Sequence, residues 1–231
     1  MRRNLIVHQH FERNRYGRDW VCGDLHGHWN LLMAILGEKD IDLETDRLFL
    51  LGDLIDRGPQ SADILNWALQ TDNVFSVMGN HELMFIGGAI RPGYREEHRR
   101  IGGEWVDELS FGQYRNLTTK CANHLPLTMT IETAEGPLGL VHAQSPVDDW
   151  CELATIEYTD QIAIDCTWPW NRATGPGQSI AGVSAVVSGH IGTQDIVQRG
   201  NQLWIDTLET SGEPTLLPVQ ELVTLARRES S

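Results

Sequence analysis

Three short motifs carry side chains that bind metals or move protons. They are Gly23-Asp24-Leu25-His26-Gly27, Gly52-Asp53-Leu54-Ile55-Asp56-Arg57-Gly58-Pro59 and Gly79-Asn80-His81-Glu82. Two more histidines stand directly after apolar runs: Leu138-Gly139-Leu140-Val141 leads into His142, and Ala185-Val186-Val187-Ser188-Gly189 leads into His190. The candidate ligands are Asp24, His26, Asp53, Asn80, His142 and His190. Oxygen and imidazole without thiolate suit Mn2+, Fe or Zn2+ rather than a structural cysteine–zinc site. The set is too large for one catalytic ion that must keep an open position. It suits two ions sharing a bridging carboxylate and a water. Asp53, in the middle motif, is the natural bridge.

Each motif must be placed by the element before it. Trp20-Val21-Cys22, Leu48-Phe49-Leu50-Leu51 and Asn73-Val74-Phe75-Ser76-Val77 read as buried strands, and each runs into a motif. Between them, Leu31, Leu32, Ile35 and Leu36 recur at helical spacing, and Ser61 reads as the N-cap of a helix carrying Ile64, Leu65, Ala68 and Leu69. This βαβαβ order implies parallel strands, whose carboxyl ends are where such sheets bind ligands. Asp24 and Asp53 are 29 residues apart and Asp53 and Asn80 are 27 apart, each about one strand–helix unit.

Residues 81–124 read mainly as helix, broken by Gly87-Gly88, Pro92-Gly93 and Gly102-Gly103. The last third reads mainly as strands at 127–132, 138–141, 185–188, 195–198, 202–206 and 215–219, with a frayed tail after Val223. Parallel strands first and hairpin-like strands later predict an α/β protein of two packed mixed sheets, a β-sandwich flanked by helices. We expect one domain over 1–231, with a helical cap at about 83–124 and a tail at 224–231.

Composition bounds the function. The 231 residues carry a net charge of −14, which argues against a general nucleic-acid binder, since such proteins neutralise phosphates with Lys and Arg. A phosphate-handling site must supply its own local positive charge. Residues 1–20 hold five Arg against two acids, so the remainder is the more acidic part. No apolar run is long enough for a membrane span or a secretory signal. The cysteines at 22, 121, 151 and 166 form no C-x-x-C pair and read as reduced thiols of a cytoplasmic protein.

The five linked motifs, in order, closely resemble the binuclear-metal serine/threonine phosphoprotein phosphatase family, with its calcineurin-like metallophosphoesterase fold. Tyr16-Gly17-Arg18-Asp19-Trp20 and the short chain resemble its compact bacterial and phage branch. The resemblance implies Asp24, His26 and Asp53 on a first metal, and Asp53, Asn80, His142 and His190 on a second. It implies His81 as general acid, Asp56 as its orienting partner, and Arg57 and Arg172 as phosphate clamps, Arg172 by way of Trp170-Asn171-Arg172. The implied chemistry is in-line attack on phosphorus by a hydroxide bridging two divalent ions, Mn2+ before Fe or Zn2+. The implied partner is a phosphoprotein carrying phosphoserine or phosphothreonine, with phosphotyrosine also accepted. Nucleic acid and membrane are not expected partners.

Two alternatives stand beside this. A symmetrical dinucleoside-tetraphosphate hydrolase, or another small-molecule phosphoesterase of the same fold, shares the metal motifs. The hydrolase pattern Gly-Asp-x-x-Ala-Arg-Gly lacks the carboxylate present here as Asp56. A non-catalytic binding module predicts a lost ligand or acid, and every such position is intact. Ile191-Gly192, Leu208 and Gln144 depart from the family pattern. The other histidines, 8, 10, 28, 98 and 124, read as surface groups. Trp105 resembles a segment of the family's cap, and Trp168 and Trp170 flank the Arg172 clamp.

Overall fold

The computed structural model describes residues 5–227. Two of the five N-terminal arginines (Arg2 and Arg3) and the last four residues of the expected tail lie outside the described residues. In the first half the strands are β1 (His8–Phe11), β2 (Asp19–Cys22), β3 (Arg47–Leu50) and β4 (Val74–Ser76). The helices α1 (Trp29–Glu38) and α2 (Ser61–Ala68) connect β2, β3 and β4. Then come α3 (Asn80–Gly88), α4 (Pro92–Arg100) and α5 (Phe111–His124). The second half holds β5 (Thr128–Ile131), β6 (Leu138–Val141), α6 (Asp160–Thr167), α7 (Asn171–Thr174) and β7 (Ala185–Ser188). It ends with β8 (Val197–Arg199), β9 (Gln202–Trp204), α8 (Leu208–Ser211), β10 (Leu216–Pro218) and α9 (Val219–Arg227).

The strands form two mixed sheets, ordered β10-β2-β3-β4 and β1-β5-β6-β7-β9-β8. Alternation along each strand explains how they stack, because successive side chains face opposite ways. Val21, Phe49 and Leu51 of the smaller sheet meet Met129, Ile131, Leu138, Leu140 and Val187 of the larger in one apolar core. The alternate residues, Trp20, Cys22, Leu48 and Leu50, face a second core built with Leu32, Leu36, Ile64 and Leu65 of α1 and α2. A parallel strand buried on both faces needs this double cover, which is why these runs are apolar throughout. Val219, Leu222, Val223 and Ala226 make one helical face of α9 and pack into the inter-sheet core. The expectation of fraying from 224 is therefore corrected for 224–227, where Ala226 is buried.

Local signals set the cap. Pro92 opens α4, where its missing N–H is not needed. Ser110 and Gln113 form a capping box at the start of α5, each side chain accepting the other's backbone N–H. Ser61 does not cap α2. It is the first helical residue, and its hydroxyl instead accepts the N–H of Asp56, which serves the site. Strand β1 was not expected. Its His-Gln-His sequence has no apolar run, and it forms by parallel pairing with distant β5.

Candidate active site

Register brings the motifs to one edge. Cys22 pairs with Leu50 and Leu50 with Ser76, so Asp24, Asp53 and Asn80 follow neighbouring strand ends. In the other sheet Leu140 pairs with Val187 and Ser188 with Trp204. His142, His190 and Asp206 therefore leave the same edge. The two edges enclose a cleft of about 460 Å³ whose walls include His26, Asp53, Arg57, Asn80, His81 and His190.

The loops at this edge are strained. His26, Asp53, Asp56, Arg57 and His190 have φ between 40 and 74°. Left-handed backbone costs a non-glycine residue about 1–3 kcal/mol. Hydrogen bonds hold it. The Asp53 carbonyl accepts the N–H groups of Leu25 and His26, and Gly58 N–H donates to the His26 carbonyl. Glu82 ties the second and third motifs together. Its fully buried carboxylate accepts the N–H groups of Asp53, Leu54 and Gly79, at 2.9, 2.9 and 3.0 Å. Its spacing of three residues after Gly79 is the capping-box signal that could have revealed this task. At Gly189 a side chain is excluded, because a Cβ would collide with the Asp24 carboxylate.

Two groups of side chains could each hold a metal ion, with the ligating atoms of each group within 4.8 Å of one another: His26, Asp53 and His81, and Asp53, His142 and His190. Asp53 belongs to both, the position expected of a bridge. Asn80 adds to the second group. One end of its amide is 2.9 Å from His142 Nε2 and 3.1 Å from Asp53 Oδ2. With oxygen at that end the amide meets only acceptors, a convergence of lone pairs that a cation satisfies; turned over, its NH2 donates to them. Asp24 joins neither group, and its carboxylate accepts the His190 N–H at 3.0 Å.

The ring orientations and charges fit divalent ions. His26 Nδ1 lies 3.1 Å from the Ile55 carbonyl, His142 Nδ1 2.7 Å from Leu51, and His190 Nε2 3.0 Å from Trp168. Donating one N–H to a carbonyl fixes the tautomer and leaves the other nitrogen's lone pair for the site. Burial pushes His26 and His190 down to about 4, so both are neutral, as ligands must be, whereas at His142 burial is outweighed by the Asp53 carboxylate, which raises it. Burial, with Asp206 and Asp53 nearby, raises the Asp24 carboxyl well above its ordinary range. Burial, with Asp53 beside it, raises Asp206 to about 6, and its Oδ1 has no hydrogen-bond partner among the described residues. Such crowded, desolvated carboxylates call for a cation. Asp206 was missed, although it follows the apolar run Leu203-Trp204-Ile205 just as His142 follows β6.

His81 carries a different bond. Its Nδ1 is 2.6 Å from Asp56 Oδ2. Burial opposes its charge, but Asp53 and Asp56 outweigh burial and raise its pKa. Asp56 is itself gripped from the cap. His98 Nε2 is 3.0 Å and Trp105 Nε1 2.7 Å from Oδ1. His98 is fully buried, which corrects its reading as a surface group. Nothing in the polar run Arg95–Arg100 signals this, because the partner is 42 residues away. His28 Nδ1 contacts the Leu25 carbonyl at the start of α1, and His28 joins neither ligand group.

Arg57 reaches the cleft, with Nη1 2.6 Å from Glu209 and Nη2 3.3 Å from His81 Nε2. Arg172 does not line it. Its guanidinium is taken by the Ser145 and Val147 carbonyls and by Asp148 at 2.6 Å, so it braces the loop after His142. Gln144, one of the departures, accepts the Arg172 N–H in the same brace. Trp168 and Trp170 do line the cleft. No disulfide joins the described cysteines, and no described helix is long and apolar enough to cross a membrane.

Comparisons with known proteins agree with this geometry. The chain is 30% identical over 207 residues to serine/threonine-protein phosphatase 2 of Escherichia coli, covering 87% of this chain and 91% of that one. It is 40% identical over 81 residues to a symmetrical bis(5'-nucleosyl)-tetraphosphatase of Hamiltonella defensa, covering 35% of this chain and 29% of that one. Its fold matches the cold-active protein-tyrosine phosphatase of a Shewanella species with a TM-score of 0.62 at 17% identity, over 92% and 78% of the two chains. The calcineurin-like phosphoesterase model matches residues 18–194. With motifs, two-sheet fold and ligand groups in agreement, the chain belongs to the calcineurin-like phosphoesterase family, hydrolytic enzymes built around a binuclear divalent metal centre.

Proposed function

We propose that this enzyme removes phosphate from phosphoserine and phosphothreonine in proteins, and also from phosphotyrosine. The observation that carries the reading is the His81–Asp56 pair at 2.6 Å beside the ligand groups. A serine or threonine alkoxide is a poor leaving group and needs a proton as it departs. Asp56 fixes Nδ1–H and favours the charged ring, so His81 can present a proton on Nε2 to the leaving group once a bound phosphoryl group draws off the Arg57 guanidinium that stands 3.3 Å from that nitrogen. Arg57 supplies a planar fork that matches phosphoryl oxygens in shape and charge. Asp24, His26 and Asp53 would hold one metal, and Asp53, Asn80, His142 and His190 the other. When bound, two divalent ions supply water activation and Lewis acidity, with Mn2+ preferred and Fe or Zn2+ also suited to the donors. We take residues 1–231 as one catalytic domain capped by 83–124, acting in the cytoplasm on phosphoproteins.

Hydrolysis of dinucleoside tetraphosphates is the competing reading. The carboxylate at Asp56 favours the phosphatase, as does a phosphatase relative matched over 91% of its length, against tetraphosphatase relatives of Hamiltonella defensa and Acidovorax ebreus matched over 29% and 49% of theirs. The test compares a phosphoserine peptide with diadenosine tetraphosphate at equal enzyme concentration. Higher kcat/KM on the peptide supports the proposal, and higher kcat/KM on the dinucleotide overturns it.

A further inference from the structure

We propose that Glu209 sets substrate choice: it holds Arg57 until a phosphoryl group displaces it, and then selects a cationic side chain next to the phosphorylated residue. The inference rests on the phosphatase reading above and names its substrate class, phosphopeptides with a basic flank.

Arg57 is rooted but its head is shared. Its backbone N–H bonds the Gly102 carbonyl at 3.2 Å, and its φ of 65° fixes the direction of the side chain. At the other end, Nη1 lies 2.6 Å from Glu209 Oε1 and 3.1 Å from His26 Nε2, and Nη2 lies 3.3 Å from His81 Nε2, so Glu209 is the one acid among the described residues that holds the head. The two side chains are 41% and 49% exposed. An ion pair this open to water is weak, so a doubly charged phosphoryl group can take the guanidinium. Glu209 is then left without its partner, and no other Lys or Arg among the described residues pairs with it. Asp206 lines the same cleft as a second acid.

The mouth of the cleft offers this carboxylate a suitable guest. Trp168 and Trp170, 40% and 61% exposed, line the same opening as Glu209. Indole rings and a carboxylate lining one cleft suit an ammonium or guanidinium group, by cation–π attraction and charge. The net charge of −14 adds a long-range pull on basic peptides and repels polyphosphates. Glu209 stands where the chain departs from the family turn, on the short helix α8 that begins with Leu208.

The test measures KM and kcat for wild type and Glu209→Gln with an aryl phosphate and with three phosphoserine peptides, flanked by Arg, Ala or Glu. Glu213→Gln, an exposed acid outside the cleft, is the control and should match wild type. In wild type the Arg-flanked peptide should have the lowest KM. Glu209→Gln should lower KM for aryl phosphate about three- to fivefold, the worth of an exposed ion pair, and remove the Arg-over-Glu preference. Its kcat should stay within about twofold, since the group acts on binding. Retained flank preference in Glu209→Gln, or an unchanged aryl-phosphate KM, overturns the proposal. If peptides are hydrolysed without flank preference, the phosphatase reading stands and this proposal fails. If all peptides are refused and aryl phosphate is hydrolysed, the phosphatase reading fails.

Discussion

Replacing Asp56 by Asn probes the proton-donating device directly. Asp56 is fully buried, and its two oxygens serve His81 at 2.6 Å, His98 at 3.0 Å and Trp105 at 2.7 Å. Every one of these neighbours is an N–H donor. Asn keeps one acceptor oxygen and turns an NH2 group toward donors, so at least one buried N–H loses its partner. That costs about 1–3 kcal/mol of stability. At about 2–4 °C per kcal/mol for a protein of this size, Tm should fall by roughly 2–12 °C. The catalytic effect is larger. Burial raises the Asp56 carboxyl and hydrogen bonds from His81 and His98 outweigh it, so the wild-type group is ionised and supports a charged His81. Without that charge only Asp53 still favours the charged ring, and the carboxylate that fixes the Nδ1–H tautomer is gone. General-acid assistance is worth about 10²–10⁴ in rate, or about 2.7–5.5 kcal/mol of barrier. The assay is kcat on aryl phosphates of rising leaving-group pKa and on a phosphoserine peptide, with thermal unfolding in parallel. The loss should grow with leaving-group pKa and reach about 10²–10⁴ on the peptide. A uniform loss across the series, or peptide turnover within about threefold of wild type, refutes the reasoning.

Other sites give independent tests. Glu82→Gln keeps one acceptor for three buried N–H donors, so urea unfolding should show a loss of about 2–5 kcal/mol; no shift in midpoint contradicts the proposed strap. Phe49→Ala empties the inter-sheet core where the ring meets Phe11 at 5.1 Å and Phe75 at 5.3 Å, with an expected cost of about 3–5 kcal/mol by the same measurement. Under 1 kcal/mol, on the order expected for surface sites, would show that the sheets do not pack there. Asp46 carries a pH signature. Burial raises its carboxyl, but bonds from Arg18 and Asp42 outweigh burial and hold it below its ordinary value. A depressed carboxyl stabilises the fold above its unfolded pKa of about 3.9, and that contribution is lost as pH falls through the folded value. Asp46→Asn should therefore cost about 1–3 kcal/mol at pH 7, and its gap to wild type should narrow below about pH 4. A gap independent of pH contradicts the ion pair.

The legible part of the site follows one rule. Polar residues directly after apolar strands end up at a sheet edge, and Asp24, Asp53, Asn80, His142 and His190 all obey it. The presence of two packed sheets was legible because strands flanked by helices differ in pattern from strands joined by turns, but the strand order was not, since β10 joins the first sheet beside β2 and β1 the second beside β5. What escaped depends on distant partners. His98 sits in a polar helix whose buried face is defined only by Asp56. β1 exists because β5 pairs with it, and the last turn of α9 because the inter-sheet core receives Ala226. Arg172 matched a short pattern, but Asp148 and two carbonyls claim its guanidinium. The opening conflict between net charge and phosphate chemistry is resolved locally. Arg57 lines one cleft with the buried Asp53 and Asp206, carboxylates whose charge burial disfavours unless cations join them, while the acidic surface stays in water.

The central claim is that these strand ends hold two metal ions that make the site a phosphoesterase. It is tested by stripping the protein with a chelator, adding back Mn2+, Fe2+ or Zn2+ singly, and measuring bound metal per chain together with phosphopeptide hydrolysis. The stripped protein should show no turnover, and turnover should return as occupancy approaches two ions per chain, with Mn2+ most effective. Undiminished hydrolysis by the metal-free protein, or full activity with His142 and His190 both replaced by Ala, would contradict it.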